Sequence, residues 1–345
     1  MPQVVLITGC SSGLGRALAS RLAAEREADG SRSYTVYASA RNAATLKGLE
    51  VEGVKPLALD VTRQRSVEEA VKRVVKEAGS IDVLVNNAGL SRAGPLVEQP
   101  LSEIEDILQT NVLGVVRVTQ EVAPHMMRQR GGLIVMIGSV TAHMATPFAG
   151  AYSASKAALL GLTDSLRLEL QPFGVQVSYV TAGSIKSALA DNSLGAIDLQ
   201  RYRRPGSLYG PLANTIEARA RMSQTDPNVQ PAEDVADQVA AVINASALGR
   251  SAPGSVVLGA FSRAYQALFQ ALCPAAGRRV APAAGADSSS AAPVWQPRPP
   301  PNWFLAGGAA RYYFLLGVAQ KLLPGGWPTN PAMAKRFGLD QPLAA

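Results

Sequence analysis

The sequence is poor in the residues that form disulfide frameworks or metal sites. Its 345 residues include only two cysteines, Cys10 and Cys273, and two histidines, His125 and His143. Two distant cysteines provide neither a disulfide framework nor the ligand spacing of a zinc site, so we expect no bound metal. The fold must then rest on packing, for which a hydrophobic content of 47% is ample.

Long hydrophobic runs are also missing near the start of the chain. The first apolar run covers only residues 4–7, and the three residues before it carry no basic side chain. A secretion signal needs a longer apolar core behind a basic leader, so we expect none here.

Short apolar runs alternate with helical patterns up to about residue 259. This alternation predicts an α/β fold with a doubly wound parallel sheet (a Rossmann fold), with about seven strands and helices on both faces. Strands are predicted at residues 4–8, 34–38, 56–59, 81–85, 133–137, 175–180 and 255–258. The capping-box pair Ser66 and Glu69 predicts that a helix begins at Ser66.

Three other segments surround or follow this pattern. Residues 184–228 come after the sixth strand, where open α/β sheets bind ligands, and are predicted to form a substrate lid within the domain of residues 1–259. Residues 260–273 are predicted to be a helix, and residues 274–302, rich in Ala, Pro, Ser and Gly, a flexible linker. Residues 303–345 are predicted to be an apolar and basic C-terminal extension, helical in part.

A glycine-rich turn lies between the first strand and the first helix. Glycines there let the backbone approach a pyrophosphate, whose charge the free N–H groups of the helix N-terminus favour. A glycine-rich turn that binds nothing is the alternative for this motif alone. The residues expected to contact the cofactor are Gly9, Ser11, Ser12, Gly13, Leu14 and Gly15.

The turn after the second strand lacks the acidic residue that commonly holds the ribose of NAD. It carries Arg41 instead, which could pair with a 2′-phosphate and so favours NADP(H), although a solvated arginine is the alternative. Asp60 and Val61, at the end of the third strand, are expected near the adenine. An aspartate that caps the following turn is an equally ordinary explanation.

Two further motifs occur in order after the glycine-rich turn. Asn86-Asn87-Ala88-Gly89 follows the fourth strand, and Ser139 precedes Tyr152-Ser153-Ala154-Ser155-Lys156 by thirteen residues. With these motifs, residues 1 to about 259 resemble the short-chain dehydrogenase/reductase (SDR) family. The resemblance implies a catalytic tetrad and further cofactor contacts. The tetrad would be Asn111, Ser139, Tyr152 and Lys156, and the contacts Asn87, Ala88, Gly89, Tyr152, Lys156, Ile185 and Ser187.

The residue types of that tetrad suit proton transfer to a carbonyl. A tyrosine phenol has a pKa of about 10 and needs a nearby cation to favour its phenolate. Lys156 lies four residues beyond Tyr152, on the same helix face, and Ser139 could donate a hydrogen bond to the substrate oxygen. By the resemblance, Asn111 would hold a water that relays protons from Lys156. Taken singly, the tyrosine could be a core residue and the serine a helix cap.

Two details limit other interpretations. His143 lies close to Ser139 in the sequence, but no Gly-x-Ser-x-Gly elbow supports a hydrolase, so both histidines are expected to be structural. The SDR family usually has Pro-Gly after the sixth strand, whereas this chain has Ala182-Gly183 there. The loss of the stiff proline makes Ile185 and Ser187 the weakest of the expected cofactor contacts.

The net charge of +7 is concentrated at the C-terminal end, where residues 260–345 carry eight basic and two acidic residues. Within residues 303–323, apolar side chains recur at helical spacing but Arg311 and Lys321 interrupt them, which argues against a transmembrane helix. A helix at a membrane interface fits better, and a helix docked on the domain or on a second subunit is the alternative. Dispersed basic residues do not favour nucleic acid.

Longer runs narrow the resemblance within the SDR family. Residues 147–158 and 169–175 resemble 1-acyldihydroxyacetone-phosphate reductases, and residues 4–13 and 36–38 are similar to 17β-hydroxysteroid and retinol dehydrogenases. The resemblance implies an NADPH-dependent enzyme that reduces a lipid ketone to a secondary alcohol. It also implies a location at the cytoplasmic side of the endoplasmic reticulum or on lipid droplets. The alternatives are a cytosolic reductase, a steroid or retinoid enzyme and a non-catalytic NADPH-binding scaffold, and a homodimer stays open.

Overall fold

The computed structural model describes residues 2–143, 146–186, 198–225, 229–247 and 255–257. Within these residues, seven parallel strands form one sheet in the order β3-β2-β1-β4-β5-β6-β7. The strands are β1 (Gln3–Ile7), β2 (Tyr34–Ala40), β3 (Lys55–Ala58), β4 (Val83–Asn86), β5 (Gly132–Ile137), β6 (Val175–Thr181) and β7 (Ser255–Val257). The predicted doubly wound Rossmann sheet is therefore confirmed.

Seven α-helices lie in the described part of the chain. They are α1 (Gly13–Ala23), α2 (Gln64–Ala78), α3 (Leu101–Leu108), α4 (Gly114–Gln129), α5 (Gly150–Leu170), α6 (Ala213–Thr225) and α7 (Ala232–Ala247). A π-helical turn, Gln109–Leu113, joins α3 to α4. Shorter 3₁₀ turns include Leu199–Arg203 and Gly210–Leu212 in the lid segment.

Alternate residues of the strands bury two separate cores, one on each face of the sheet. Val5 and Ile7 of β1 face a core that includes the apolar sides of α1 and α7, among them Val239. Val4 and Leu6 face the opposite core with side chains of α2, α4 and α5. This alternation follows from the two-residue period of a strand, and coverage of both faces is what a parallel sheet requires.

The strand order reverses direction at β1, which lies between β2 and β4. The loops that leave β1 and β4 therefore diverge and open a crevice at the carboxyl edge of the sheet, where ligands of such folds bind. The glycine-rich turn follows β1 and the Asn86–Gly89 motif follows β4, so the topology brings both motifs to this crevice.

The helix predicted to begin at Ser66 begins at Gln64 instead, and no side chain caps it. Ser66 lies inside its first turn, where its hydroxyl accepts a hydrogen bond from the Asp60 N–H at 3.0 Å. The serine thus stabilises the preceding turn rather than the helix end. Within the described ranges, no helix is long and apolar enough to span a membrane.

Several predicted segments lie wholly or partly outside the described residues. The helix of residues 260–273, the linker of residues 274–302 and the extension of residues 303–345 lie outside them. The lid segment is described over residues 184–186 and 198–225, which include α6.

Candidate active site

A network of hydrogen bonds ties the glycine-rich turn to the loop after β4. The Asn87 side-chain amide donates to the carbonyl oxygens of Thr8 and Gly9 at 2.8 and 3.0 Å. The Thr8 hydroxyl in turn accepts from the backbone N–H groups of Asn87 and Ala88, each at 3.0 Å. These contacts fix the two loops of the crevice relative to each other, and the expected cofactor contact at Asn87 stays a prediction.

Glycine is required at two positions of this turn for steric reasons. Gly9 has a φ of +74°, and a Cβ there would lie 2.7 Å from Ala88 Cα. A Cβ on Gly15, at the start of α1, would overlap Asn87 Nδ2. The turn therefore presents bare backbone, Ser11 is exposed at its tip, and α1 begins at Gly13. This arrangement fits a pyrophosphate at a helix N-terminus.

The second strand brings Arg41 to the same edge. Cys10 N–H donates to the Ser39 carbonyl at 2.7 Å, which joins the glycine-rich turn to the end of β2, and Arg41 follows as an exposed residue. Arg16 is already engaged, because its guanidinium donates to the carbonyls of Thr45 and Lys47. In the described ranges no carboxylate pairs with Arg41, which leaves its guanidinium open to solvent at the crevice.

Asp60 and Val61 have local partners that explain them without a ligand. Asp60 Oδ1 accepts from the N–H and hydroxyl of Thr62 at 3.0 and 2.7 Å, a turn-capping arrangement. Val61 is buried against Gly114, where a Cβ would lie 2.8 Å from Val61 Cγ2. Their expected role near the adenine stays a prediction.

Tyr152 and Lys156 lie one helical turn apart on α5, and their side chains meet. The Lys156 Nζ is 5.8 Å from the centre of the Tyr152 ring and donates to the Ile137 carbonyl at 2.8 Å. Lys156 is only 5% exposed, and burial lowers the pKa of its ammonium to about 8. A buried cation beside a phenol is the feature that the sequence predicted for this pair.

Burial also raises the pKa of the Tyr152 phenol, and two neighbours oppose this effect. A hydrogen bond with Ser139 lowers that pKa, and so does the positive charge of Arg219 on α6. Burial alone would hold the proton on the phenol, whereas these two groups favour its release. The Tyr152 phenol thus keeps its proton because it is buried, while Ser139 and Arg219 favour transfer of that proton.

Ser139 follows β5 directly, and its Oγ is held by the next turn. It accepts from the N–H and hydroxyl of Thr141 at 3.2 and 3.0 Å. Since both acceptor positions of the oxygen are used, its own hydrogen is available for donation toward Tyr152 or a substrate. Tyr179 of β6 braces this arrangement, because its hydroxyl accepts from Ser139 N–H at 3.4 Å and donates to the Lys156 carbonyl at 3.3 Å.

Asn111 lies in the π-helical turn and is 1% exposed. Its amide accepts from Leu90 N–H at 2.7 Å and donates to the Leu90 carbonyl and to Ser155 Oγ at 2.8 and 3.0 Å. A Cβ on Gly89 would lie 3.6 Å from Asn111 Oδ1 and 3.9 Å from Lys156 Nζ. The side chain is therefore engaged in holding the loop after β4 against α5, and the residue lies close to Lys156.

The two weakest of the expected cofactor contacts, Ile185 and Ser187, stay predictions. Ile185 pairs with Gln230 in an isolated parallel bridge and packs against the core that contains β1. Ser187 lies outside the described residues.

His143 packs edge-on against Tyr179, with 6.4 Å between the ring centres, and its Nε2 lies 3.5 Å from Thr181 Oγ1. This histidine ends the short turn that begins after Ser139.

The tetrad residues, the glycine-rich turn and Asn87 thus converge on one crevice, which can hold a dinucleotide and move a proton.

Sequence reasoning missed Tyr179 and Arg219, whose sequence neighbourhoods show no motif. It also missed Phe148, which has a φ of +60° just before α5 and packs against Tyr209 of the lid segment at 6.3 Å. A non-glycine residue in that region is strained and is tolerated only where packing enforces it.

These features define a dinucleotide-binding domain of the oxidoreductase type. The family model described as short chain dehydrogenase matches residues 3–196 of the chain. The chain belongs to the short-chain dehydrogenase family, and a resemblance first suggested by its motifs is confirmed.

Two characterised relatives and one solved structure illustrate the match. The 17-beta-hydroxysteroid dehydrogenase type 1 of Homo sapiens is 42% identical over 203 residues, which span 56% of this chain and 60% of that protein. The NADPH-dependent 1-acyldihydroxyacetone phosphate reductase of Schizosaccharomyces pombe is 35% identical over 214 residues, 61% of this chain and 69% of that protein. A short-chain dehydrogenase from Streptomyces avermitilis is 26% identical with a TM-score of 0.61, over 79% of this chain and 95% of that one.

Proposed function

We propose that this chain is an NADPH-dependent oxidoreductase that reduces the ketone of a lipid-like substrate to a secondary alcohol. The observation that carries the proposal is the buried Lys156 ammonium beside the Tyr152 phenol, with Ser139 hydrogen-bonded to the phenol. A hydroxyl donor, a phenol and a buried cation are the groups needed to stabilise and protonate an oxygen that gains negative charge.

The cofactor is assigned from the crevice. The bare backbone of the glycine-rich turn and the start of α1 would hold the pyrophosphate, and Lys156 and Asn87 would face the nicotinamide half. Arg41, exposed beside that turn, would pair with the 2′-phosphate and so select NADPH over NADH. When bound, NADPH supplies the hydride for the carbonyl carbon.

The chain's own residues would manage the proton and the developing charge. Ser139 would donate to the carbonyl oxygen, and Tyr152 would transfer its phenolic proton to the same atom. Lys156 would stabilise the phenolate left behind. The Asn111 side chain holds Leu90 and Ser155 close to Lys156, where a relay water would bind.

The substrate assignment is supported by the relatives, both of which are named for lipid substrates. The name of the Schizosaccharomyces pombe relative supports a 1-acyldihydroxyacetone phosphate, and the higher identity of the Homo sapiens relative supports a 17-ketosteroid as the second candidate. The same four residues would reduce either candidate substrate. The two substrates would therefore differ in their contacts with the lid segment and not in the chemistry of reduction.

The test is NADPH oxidation by the purified full-length chain, with palmitoyl-dihydroxyacetone phosphate, a 17-ketosteroid, retinal and a small diketone as substrates. We expect turnover of the acyl phosphate, and a loss of about 100- to 10,000-fold in kcat for Tyr152→Phe, because the general acid is gone. Tight NADPH binding without turnover of any ketone would instead support a non-catalytic scaffold.

We further propose that the basic C-terminal extension attaches the enzyme to an anionic membrane. The support is its sequence alone: residues 303–345 carry four basic residues and one acidic residue, with apolar side chains at helical spacing, and a location at the endoplasmic reticulum or lipid droplets would follow. A cytosolic enzyme with the extension packed on the domain or on a second copy is the alternative.

A further inference from the structure

Buried hydrogen-bond donors without acceptors lie together beside the lid segment. Within the described residues, they are Nε of Arg219, Nε and Nη1 of Arg92, and the hydroxyl of Tyr202. Buried donors are normally paired, because each unpaired one loses its hydration without compensation. Several such donors at one place therefore indicate a missing acceptor.

Two contacts show that these donors belong to one place. Ala93 and Ala220, the sequence neighbours of the two arginines, pack together in a small cluster between the loop after β4 and α6. The Tyr202 hydroxyl contacts Gly94, where a Cβ would overlap it. The unpaired donors thus belong to the loop of residues 90–95 and to the lid segment, two segments that pack against each other.

Arg219 connects this region to the reaction centre. Its Nη2 donates to Thr146 Oγ1 at 3.2 Å, in the segment that leads into α5, and its charge acts on the Tyr152 phenol. Burial lowers the pKa of Arg219, and Tyr152 is the group whose charge opposes this. No carboxylate in the described part of the chain makes an ion pair with this guanidinium.

The acidic side chains nearby are already paired with other groups. Glu98 accepts from the Ser207 hydroxyl at 2.6 Å and from Leu208 N–H at 2.9 Å. Glu103 pairs with Arg201. Asp106, which is exposed, pairs with Nη2 of Arg92 at 3.4 Å. The positive charge of Arg219 is therefore left uncompensated beside the tyrosine.

We infer that Arg219, with Arg92 and Tyr202 beside it, binds an anionic group of the substrate such as a phosphate monoester. The enzyme then selects ketones that carry a negative charge near the carbonyl, since Arg219 is held by Thr146 in the segment that leads into α5 and Tyr152. A phosphate offers three acceptor oxygens, and guanidinium groups bind it through paired charge-assisted hydrogen bonds. The inference rests on the proposed ketone reduction and specifies its substrate class.

The test compares two unreactive ligands that differ in the phosphate alone, hexanoylglycerol 3-phosphate and hexanoylglycerol. Calorimetry on the full chain saturated with NADPH, which cannot react with an alcohol, should show that the phosphate ligand binds about tenfold more tightly or better. Arg219→Gln should bring the two affinities within about twofold, and Arg219→Lys should keep part of the preference because it keeps the charge. Arg221→Gln is the matched control, because Arg221 is half-exposed on the same helix and pairs with Glu217.

Equal affinities of the two ligands in the wild-type chain, or a preference that survives Arg219→Gln, would overturn the inference. Unchanged NADP⁺ affinity in Arg219→Gln shows that the variant is folded. Kinetics on a neutral ketone separate anion binding from ketone reduction. If the wild-type chain prefers the phosphate ligand but reduces no ketone, only the proposed reduction is contradicted. In Arg219→Gln, KM should rise for the acyl phosphate and stay unchanged for the neutral ketone. A change in kcat that both ketones share reports the effect of Arg219 on Tyr152 and is separate from anion binding.

Discussion

At the scale of single residues, the lysine and tyrosine of α5 show how burial sets the chemistry. The same desolvation lowers the pKa of Lys156 to about 8 and raises that of Tyr152, so the phenol holds its proton more tightly while the ammonium releases its own more readily. On an exposed helix face, where water screens charge, proximity alone would not shift the two pKa values in this way.

The first prediction concerns the pH dependence of reduction. Lys156 is charged below its lowered pKa and neutral above it, so stabilisation of the Tyr152 phenolate is present below about pH 8 and lost above it. We expect kcat/KM for ketone reduction to fall as the pH rises through that value. In Lys156→Arg, which stays charged, the rate should be lower but this fall should disappear. A fall at the same pH in both proteins would contradict the assignment.

The second prediction concerns cofactor selection by Arg41. Arg41→Glu removes a phosphate partner and adds repulsion, so the ratio of kcat/KM with NADPH to that with NADH should drop by about 10- to 100-fold. Arg128→Glu is the control, because that exposed residue lies in the last turn of α4, away from the crevice. An unchanged ratio in Arg41→Glu would show that this arginine is a solvated surface charge.

At the scale of elements, β5 and β6 hold the serine and the lysine in place through Tyr179. The tyrosine is fully buried and hydrogen-bonds both the Ser139 N–H and the Lys156 carbonyl. Its ring lies against Gly138, where a Cβ would overlap it. The catalytic geometry thus depends on the absence of a side chain at the end of β5.

The third prediction uses two Gly→Ala changes near this contact. Gly138→Ala should destabilise the fold by about 1–3 kcal/mol, because it overpacks the Tyr179 ring, and should lower kcat through Ser139. Gly161→Ala, at an exposed helical position of α5 with open space around it, should stabilise the fold by about 0.4–1 kcal/mol without changing kcat. Denaturant unfolding and steady-state kinetics on both variants provide the comparison, and equal effects would refute the packing argument.

The elements also show what sequence can and cannot predict. The strands lie within two residues of their predicted positions, because apolar runs of a parallel sheet are continuous and bounded by turns. The four tetrad residues are identified through the family resemblance, and their catalytic roles stay predictions. Tyr179 and Arg219 could not be found in this way, since their roles come from contacts with residues 23 to 73 positions away in the chain. The π-helical turn at Asn111 likewise has no local signal.

At the scale of the whole molecule, the described strands and helices account for the crevice without the C-terminal residues. The sheet, both cores and the residues of the tetrad all lie before residue 258. The charge is distributed in the opposite way, because most of the net +7 lies beyond residue 259. Catalysis and any binding to a charged surface are therefore expected to be separable.

The fourth prediction tests this separation with a chain that ends after Cys273. We expect its free energy of unfolding and its NADPH affinity to stay within about 0.5 kcal/mol of those of the full chain, since the crevice residues are all retained. Cosedimentation with liposomes rich in phosphatidylserine should be strong for the full chain and weak for the shortened one, because each basic residue near an anionic surface adds about 1 kcal/mol of binding. Liposomes of phosphatidylcholine alone are the control. Equal sedimentation of both chains would argue against attachment through the extension, and a loss of stability would instead indicate that the extension packs on the domain.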